Sequence, residues 1–297
     1  MIELPQLEEI HFIVNPHSGL PGKRKSALRW LDEHPKISAH NIHFTSAPGH
    51  ATKISNDLSR QDVPLIFAVG GDGTANETAS GLIDSKTVMG VIPLGSGNGI
   101  ARMLNTPTDI GKIFSTLSQA KVSRIDVGLI NGRIFLATSG VGFSAQVAND
   151  FSNFSFRGAV PYFWLSTKRF FRSKDKPYKI ILDDKIFDIK VFEITIANGP
   201  EFGNGALIAP DAALDDGLLD LVLIGKPGIF GVVLTIMRLF RGKISADPNT
   251  RIFRGRRIEL VSHESISHLH MDGEVVIVNC NTLIWKIKPS CLNILRF

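Results

Sequence analysis

The pattern most suggestive of chemistry is the glycine-rich segment 70–74, which reads GGDGT and directly follows the apolar run 64–69. Glycines let the backbone turn sharply and approach a ligand closely, and the N–H groups that begin a following helix suit a phosphate. A carboxylate would repel phosphate, so Asp72 makes chemical sense if it binds Mg²⁺ or accepts a proton from an acceptor hydroxyl. The segment therefore predicts phosphate chemistry. The alternative is an ordinary turn in which Asp72 caps a helix.

Two further turns have a related composition. Residues 15–19 (NPHSG) follow the first apolar run, and residues 93–99 (PLGSGNG) follow the fourth. Each alone is compatible with a plain turn. In a parallel sheet, however, turns after successive strands lie along one edge, where α/β sheets bind ligands. Together with 70–74 they predict one phosphate-binding cleft, which is not a Walker loop because GxxxxGK[ST] is absent.

The elements that must position these loops alternate between strand and helix over the first 120 residues. Apolar runs predict four strands, at 10–14, 42–45, 64–69 and 88–92. Helical spacing predicts helices at 22–34, 49–60, 74–82 and 97–104. This alternation with tight glycine-rich turns predicts a doubly wound α/β domain.

After residue 121 the pattern becomes one of strands joined by turns. Asn131-Gly132 between two apolar runs predicts a hairpin of 124–130 with 133–138. Further strands are predicted at 179–182, 186–196, 218–224, 257–261, 268–271, 275–279 and 283–287. We therefore expect a nucleotide-binding α/β domain over 1–124 and a mainly antiparallel, β-rich lipid-acceptor domain over 125–283. The C-terminal segment of about 284–297 is a candidate to pack back on the first domain.

Charge and hydropathy restrict the partners. The formal net charge of +5 suits an anionic partner, such as a nucleotide, an anionic lipid or a nucleic acid. The N-terminus has no apolar signal region, and no stretch reaches the roughly 18 apolar residues of a spanning helix. We therefore predict a cytoplasmic protein that is peripheral to the membrane.

Two segments mix basic with apolar or aromatic residues, 162–179 (YFWLSTKRFFRSKDKPYK) and 229–243 (IFGVVLTIMRLFRGK). Each suits a helix lying on an anionic membrane. Each equally suits a helix that packs its apolar face on the core and leaves its basic side in solvent. No nucleic-acid motif accompanies them, so we expect no nucleic-acid partner.

In this order and spacing, NPHSG, GGDGT and PLGSGN resemble the diacylglycerol kinase catalytic-domain family, which includes bacterial lipid kinases, ceramide kinases and sphingosine kinases. The resemblance continues through later blocks at 140–143 (GVGF), 198–199 (NG), 202–205 (FGNG), 210–220 and 272–274 (DGE). It covers roughly residues 10–280. It implies an NAD kinase/diacylglycerol kinase-like fold and an ATP-dependent lipid kinase that uses Mg²⁺.

The resemblance also implies roles for individual residues. Asp72 resembles the catalytic Asp of sphingosine kinases, and Glu274 resembles the general base of bacterial diacylglycerol kinases. Which of the two removes the proton stays open. Asp216, with the carbonyls of Ala213 and Leu218, resembles a structural Mg²⁺ site, the alternative being a plain turn. The implied ATP site consists of Asn15, Pro16, Ser18, Gly19, Thr45, Gly70, Gly71, Asp72, Gly73, Thr74, Asn76, Glu77, Ser96, Gly97 and Asn98.

One departure leaves the acceptor open. Many bacterial members have an Asp after the Asn of the third block, where this chain has Gly99, and GSGN is closer to sphingosine and ceramide kinases. The acceptor is then diacylglycerol, a sphingoid base, phosphatidylglycerol or another lipid alcohol, presented by a membrane surface. Two alternatives remain, an NAD kinase, because GGDGT is followed by Asn76-Glu77, and an inactive nucleotide- or lipid-binding regulator. A homodimer is compatible with the sequence.

Overall fold

The computed structural model describes residues 5–95, 97–152 and 159–297, without the side chains of 151–165. The chain forms two compact units. The first runs to Val127 and also contains Pro289–Phe297, and the second is Gly128–Lys288.

The first unit is an α/β layer structure. Its strands are β1 (Ile10–Val14), β2 (Ile42–Phe44), β3 (Leu65–Gly70) and β4 (Val88–Pro93). Its helices are α1 (Pro21–Glu33), α2 (His50–Ser59), α3 (Asp72–Leu82), α4 (Gly99–Met103) and α5 (Ile110–Ser115). The strands lie in the order β2-β1-β3-β4 and are all parallel. Asn293 and Ile294, near the C-terminus, add a further parallel pairing beside β4.

Strand β3 is buried along its whole length because it lies between β1 and β4 and has helices packed against it. On one side, Phe67 stacks on Phe12 with ring centroids 5.9 Å apart, and Phe114 of α5 lies against both rings. Trp30 of α1 stacks on Phe114 at 4.5 Å. The alternate position Ile66 is equally buried. This is the environment that an uninterrupted apolar run predicts.

The second unit is mainly antiparallel. Its strands are β5 (Lys121–Ile130, which begins in the first unit), β6 (Arg133–Phe135), β7 (Thr138–Gly142), β8 (Lys176–Leu182), β9 (Lys185–Val191), β10 (Glu193–Ala197), β11 (Glu201–Gly203), β12 (Ala206–Leu207), β13 (Leu219–Ile224), β14 (Thr250–Gly255), β15 (Arg257–Met271) and β16 (Glu274–Arg296, which ends in the first unit). Its helices are α6 (Phe143–Ser152), α7 (Ala159–Arg172) and α8 (Ile229–Phe240).

Six strands of this unit follow the order β14-β13-β10-β7-β15-β16, and every neighbouring pair is antiparallel. The hairpin β8–β9 pairs with β15, and β5–β6 and β11–β12 form two further hairpins. The predicted fold class, an α/β domain followed by a mainly antiparallel one, is confirmed.

Several predicted boundaries were wrong. The predicted strand 186–196 is two strands that separate at Phe192, because β9 pairs with β8 whereas β10 pairs with β7 and β13. The predicted strands 275–279 and 283–287 are parts of one strand, β16. Asn279 within it has a φ of +53°, which breaks the sequence pattern where the register against β15 shifts.

Two predicted helices were too long. The helix read from 162–179 ends at Arg172, and Lys176 begins β8, where Pro177 has no N–H to continue a helix. Of the helix predicted at 97–104, only Gly99–Met103 (α4) is helical. Asn98 has a φ of +49°, which lies outside the range of an α-helix.

Candidate active site

The loops that follow β1 and β3 touch in the first unit. A Cβ atom at Gly70 would overlap Thr74 and lie 3.0 Å from Ser18 Oγ. The Asn15 N–H donates a hydrogen bond to the Val69 carbonyl at 3.1 Å, which continues the strand pairing into the loop. Only glycine at position 70 leaves room for this approach.

The loop after β4 closes on the other two. The Leu20 N–H donates to the Leu94 carbonyl at 3.0 Å. Gly19, with a φ of +81°, lies so close that any Cβ would overlap Leu94. A Cβ at Gly95 would lie 3.3 Å from the Gly71 Cα. The three loops predicted to meet at the carboxyl edge of the sheet are therefore in contact.

The first loop is a compact turn. Asn15 Oδ1 accepts a hydrogen bond from the His17 N–H at 3.0 Å. The Ser18 N–H and hydroxyl both donate to the Asn15 carbonyl at 3.3 Å. Pro16 between them is half-buried. These bonds fix the backbone conformation of the loop.

Asp72 links the second loop to the third. Its Oδ2 accepts from the Gly99 N–H and its Oδ1 from the Ile100 N–H, both at 3.0 Å. The carboxylate therefore caps the N-terminus of α4 while standing in the first turn of α3. Burial raises the pKa of Asp72, and the hydrogen bonds from Ile100 and Gly99 oppose that rise. A raised pKa suits a group that accepts a proton.

The other residues of the second loop begin helix α3, which starts at Asp72 rather than at the predicted Thr74. Gly73 is half-buried and Thr74 is buried, and the Thr74 carbonyl accepts from the Thr78 hydroxyl at 2.8 Å. Asn76, one turn further on, is half-buried. The start of this helix brings backbone N–H groups to the three-loop contact, as an anion site requires.

Asn98 provides an acceptor that the described residues leave unused. Its Nδ2 donates to the Gly95 carbonyl at 2.7 Å. Its Oδ1 is buried and accepts no hydrogen bond from the described residues. A buried acceptor without a donor is costly, so this atom suits a donor on a ligand. Gly97 beside it is half-buried, and Ser96 lies outside the described residues.

Glu77 holds the loop after β2 against helix α3. Its carboxylate accepts from the Gly49 N–H at 2.9 Å and from the Ala51 N–H at 3.3 Å, at the N-terminus of α2. The Thr52 hydroxyl donates to the Glu77 carbonyl at 2.8 Å. Thr45 is buried, and its N–H donates to the Val14 carbonyl at 2.9 Å. The Glu77 carboxylate thus satisfies a helix start.

In the second unit, the DGE segment forms the turn between β15 and β16. The Asp272 carboxylate is buried and accepts three backbone N–H groups, from Leu136 at 2.8 Å, Ala137 at 2.8 Å and Thr138 at 3.1 Å. Asp272 has a φ of +47°. Glu274 begins β16 and is exposed.

Both parts of the chain match families of known proteins. The diacylglycerol kinase catalytic domain matches residues 9–130, and the YegS C-terminal NAD kinase beta sandwich-like domain matches residues 137–296. A diacylglycerol kinase of Bacillus subtilis is 28% identical over 90% of each chain. A Yersinia pestis protein named probable lipid kinase YegS-like is 30% identical over 76% of this chain and 77% of its own.

The chain belongs to the diacylglycerol kinase catalytic-domain family. The family that the sequence motifs predicted is confirmed. A crystal structure of a diacylglycerol kinase from Bacillus anthracis also shares the fold, with a TM-score of 0.71 at 21% identity over 98% of this chain and 97% of that one.

The residues of the metal site that the diacylglycerol kinase resemblance implied lie at a tight turn. Asp216 is exposed, and its Oδ1 accepts from the Leu218 N–H at 3.0 Å across Gly217, whose φ is +72°. Ala213 is half-buried nearby in the chain. Within the described part of the chain, no three Asp, Glu, His or Cys side chains are grouped to hold a metal ion. Mg²⁺ at Asp216 would depend on one carboxylate and main-chain carbonyls.

Sequence reasoning missed a buried polar cluster that explains part of the family's GVGF block. The Glu193 carboxylate accepts from the Ser144 hydroxyl at 2.5 Å and from the Thr195 hydroxyl at 3.0 Å. His270 Nε2 lies 3.8 Å from Glu193 Oε1, and both side chains are buried. A Cβ at Gly140 would lie 2.7 Å from His270 Nε2. The only signal in the sequence was the glycine itself, which does not identify its neighbour.

Proposed function

We propose that this chain transfers the γ-phosphate of Mg²⁺-bound ATP to the hydroxyl of a lipid that a membrane surface presents. The class of enzyme, an ATP-dependent lipid kinase, follows from the family. The need for Mg²⁺, the membrane presentation, the roles of single residues and the cytoplasmic location are proposals.

The observation that carries the proposal is the contact among three glycine-rich loops at the carboxyl ends of β1, β3 and β4. Phosphoryl transfer requires the protein to position phosphates and stabilise charge rather than to form covalent bonds. Close backbone approach at Gly70 and Gly95, the start of α3 and the unused acceptor of Asn98 are features that serve positioning. The predicted ATP residues of the first unit supply these features.

The proposed chemistry assigns different tasks to the groups present. The loop backbones hold the phosphates, and Mg²⁺, when bound, neutralises their charge. Asp72, from the first unit, and Glu274, from the second, are the proposed catalytic carboxylates. Asp72 is fixed by two N–H donors and has a raised pKa, whereas Glu274 is exposed. Each oxygen of Asp72 keeps a further lone pair for a ligand.

The acceptor is proposed to be a lipid alcohol rather than specifically diacylglycerol. Position 99, where many family members have an Asp, holds a glycine whose N–H donates to Asp72. The missing carboxylate removes one negative charge beside the start of α4. Diacylglycerol, a sphingoid base and phosphatidylglycerol are therefore all to be tested.

The test incubates the full chain with γ-labelled ATP, Mg²⁺ and vesicles that carry each lipid in turn, and with NAD in a parallel reaction. Label in the organic phase is expected, and its chromatographic mobility identifies the acceptor. Removal of Mg²⁺ by a chelator should abolish the label. The variants Asp72→Asn and Glu274→Gln then show which carboxylate is the general base. Loss of the general base flattens the acidic limb of the pH–rate profile.

Two other results would overturn the proposal. Label on NAD alone would make the chain an NAD kinase, the alternative suggested by Asn76-Glu77 after GGDGT. ATP binding in calorimetry without transfer to any lipid would favour the inactive regulator. The lipid kinase is preferred over both because residues 9–130 match the diacylglycerol kinase catalytic domain and Asp72 and Glu274 are both present.

A further inference from the structure

Helix α8 presents its apolar side to solvent. Seven of the thirteen large apolar side chains that are exposed among the described residues lie on this one helix of 12 residues. Phe230 is 93% exposed and Ile229 is 67% exposed. The full set is Ile229, Phe230, Val233, Leu234, Ile236, Met237 and Phe240. At 100° per residue they form one continuous stripe, and no residue of the helix is buried.

The opposite side of α8 is held to the second unit by polar contacts. The Thr235 hydroxyl donates to Asp247 Oδ2 at 2.8 Å, and Arg238 pairs with the same oxygen at 2.7 Å. The Asp247 side chain is 1% exposed. Leu239 adds an apolar contact with a small core cluster that includes Val222. The helix is therefore fixed with its polar and charged anchors inward and its apolar stripe outward.

The start of α8 is fixed as well. The Lys226 ammonium donates to the Ser173 carbonyl at 2.6 Å and lies 4.9 Å from the centre of the Phe170 ring. The Lys226 N–H donates to Asp175 Oδ1 at 2.8 Å. Both ends of the helix are thus tied to the unit, so the outward stripe is a fixed surface.

The charge around α8 indicates what covers the stripe. Between Asp220 and Asp247 the chain has no acidic residue and four basic ones, Lys226, Arg238, Arg241 and Lys243. Arg241 and Lys243 are exposed beyond the end of the helix. An apolar helical face with a basic flank is complementary to a bilayer that contains anionic lipids. A second copy would bring the same basic flank to a shared two-fold interface, where like charges repel.

We propose that α8 docks the protein on an anionic bilayer, lying in the plane of the interface with its apolar stripe inserted and Arg241 and Lys243 at lipid phosphates. None of the described helices is long and apolar enough to cross a membrane. A helix that lies in the plane of the interface makes the docking peripheral. It extends the proposed function, because a kinase that acts on membrane lipids must reach them at a bilayer.

Sedimentation with sucrose-loaded vesicles tests this surface. The full chain should bind vesicles of phosphatidylcholine mixed with phosphatidylglycerol, and bind pure phosphatidylcholine more weakly. Phe230→Asp combined with Val233→Asp should weaken binding to the mixed vesicles at least about tenfold, because two inserted apolar side chains are lost. Arg241→Glu should weaken binding mainly at low salt. The matched control is Ile186→Asp, which changes another exposed apolar residue of the same unit, 62% exposed on β9.

Two measurements keep docking separate from turnover and folding. Thermal unfolding should be unchanged in the α8 variants, because the altered side chains are exposed. Activity on a short-chain acceptor dissolved as monomers should be retained, whereas activity on vesicles should fall. If the wild-type chain binds vesicles through α8 but phosphorylates no lipid, the proposed function fails and the docking inference stands.

Three results would overturn the inference. The first is absence of wild-type binding to the mixed vesicles. The second is undiminished binding of the Phe230 and Val233 double variant. The third is a wild-type dimer in analytical ultracentrifugation that this double variant converts to a monomer, with no vesicle binding, which would assign the stripe to a second copy.

Discussion

Two aspartates, one in each unit, belong to motifs that contain glycine, and their carboxylates have different surroundings. Asp72 accepts two N–H groups at the start of α4, and burial raises its pKa. Asp272 is buried and accepts three N–H groups from the 136–138 segment. Asp72 lies where three loops meet, whereas Asp272 stands two residues before the exposed Glu274.

A carboxylate in a conspicuous motif therefore serves either chemistry or architecture, according to the groups that surround it. Asp72 has glycine-rich loops and an unused acceptor, Asn98 Oδ1, in its neighbourhood, and that acceptor suits a donor on a ligand. Asp272 is surrounded by the backbone that it organises. We expect substitution of Asp72 to affect mainly turnover and substitution of Asp272 to affect mainly stability.

The largest effect is expected from Asp72→Asn. The variant should lower kcat by about 10²–10⁴-fold, because a positioned acid–base or metal-binding carboxylate is lost. ATP binding measured by calorimetry should persist. Asp57→Asn, an exposed carboxylate on α2, is the matched control and should keep full activity. Wild-type turnover in Asp72→Asn would remove Asp72 from the site.

Asp272→Ala should destabilise the second unit. Three backbone N–H groups lose their acceptor, and each unpaired buried donor costs about 1–3 kcal/mol. We expect the free energy of unfolding in urea to fall by roughly 3 kcal/mol or more. Asp184→Ala, an exposed acid in the β8–β9 turn, should change it little. Equal stability of the two variants would contradict the anchoring role.

Local patterns predicted the parts of the fold that local physics determines. The apolar run 64–69 predicted the buried strand β3. The glycine-rich turns after β1, β3 and β4 predicted that these three loops meet at one edge of the sheet. The partners of the side chains could not be predicted, because they come from distant positions. Glu77 caps α2 from 26 residues away, and Glu193 meets Ser144 across 49 residues.

The two basic, apolar segments show the same limit. Both 162–179 and 229–243 allowed a membrane or a core interpretation. Phe170 of the first packs against Phe143 and Phe192, whereas α8 in the second points its apolar stripe outward. The side chains of 162–165 lie outside the described residues. In the second segment, Asp247 lies beyond the helix and holds the polar side of α8 inward, a contact that the segment's own pattern does not reveal.

A smaller effect is expected from Gly140→Ala in the cluster that sequence reasoning missed. The new Cβ would overlap the Ile194 carbonyl and crowd His270, so the free energy of unfolding should fall by about 1–3 kcal/mol. The control is Gly22→Ala on α1, where a Cβ meets nothing within 4 Å. That control should be neutral or stabilising by up to about 1 kcal/mol. A stable Gly140→Ala protein would show that the Glu193–His270 cluster can move aside.

The smallest expected effect is on the pH dependence of the free energy of unfolding, and it tests whether Asp72 has a chemical or a structural role. Because burial raises its pKa in the folded chain, Asp72 binds a proton more readily when folded than when unfolded. Its contribution to stability is therefore present below its unfolded pKa and is lost as pH rises through the folded pKa. Asp72→Asn lacks this dependence. The free energy of unfolding of wild type minus that of the variant should increase as pH falls through the acidic range, measured by urea titration. A difference that instead decreases towards low pH would mean that the N–H groups of Gly99 and Ile100 outweigh burial, and that Asp72 is a structural cap like Asp272.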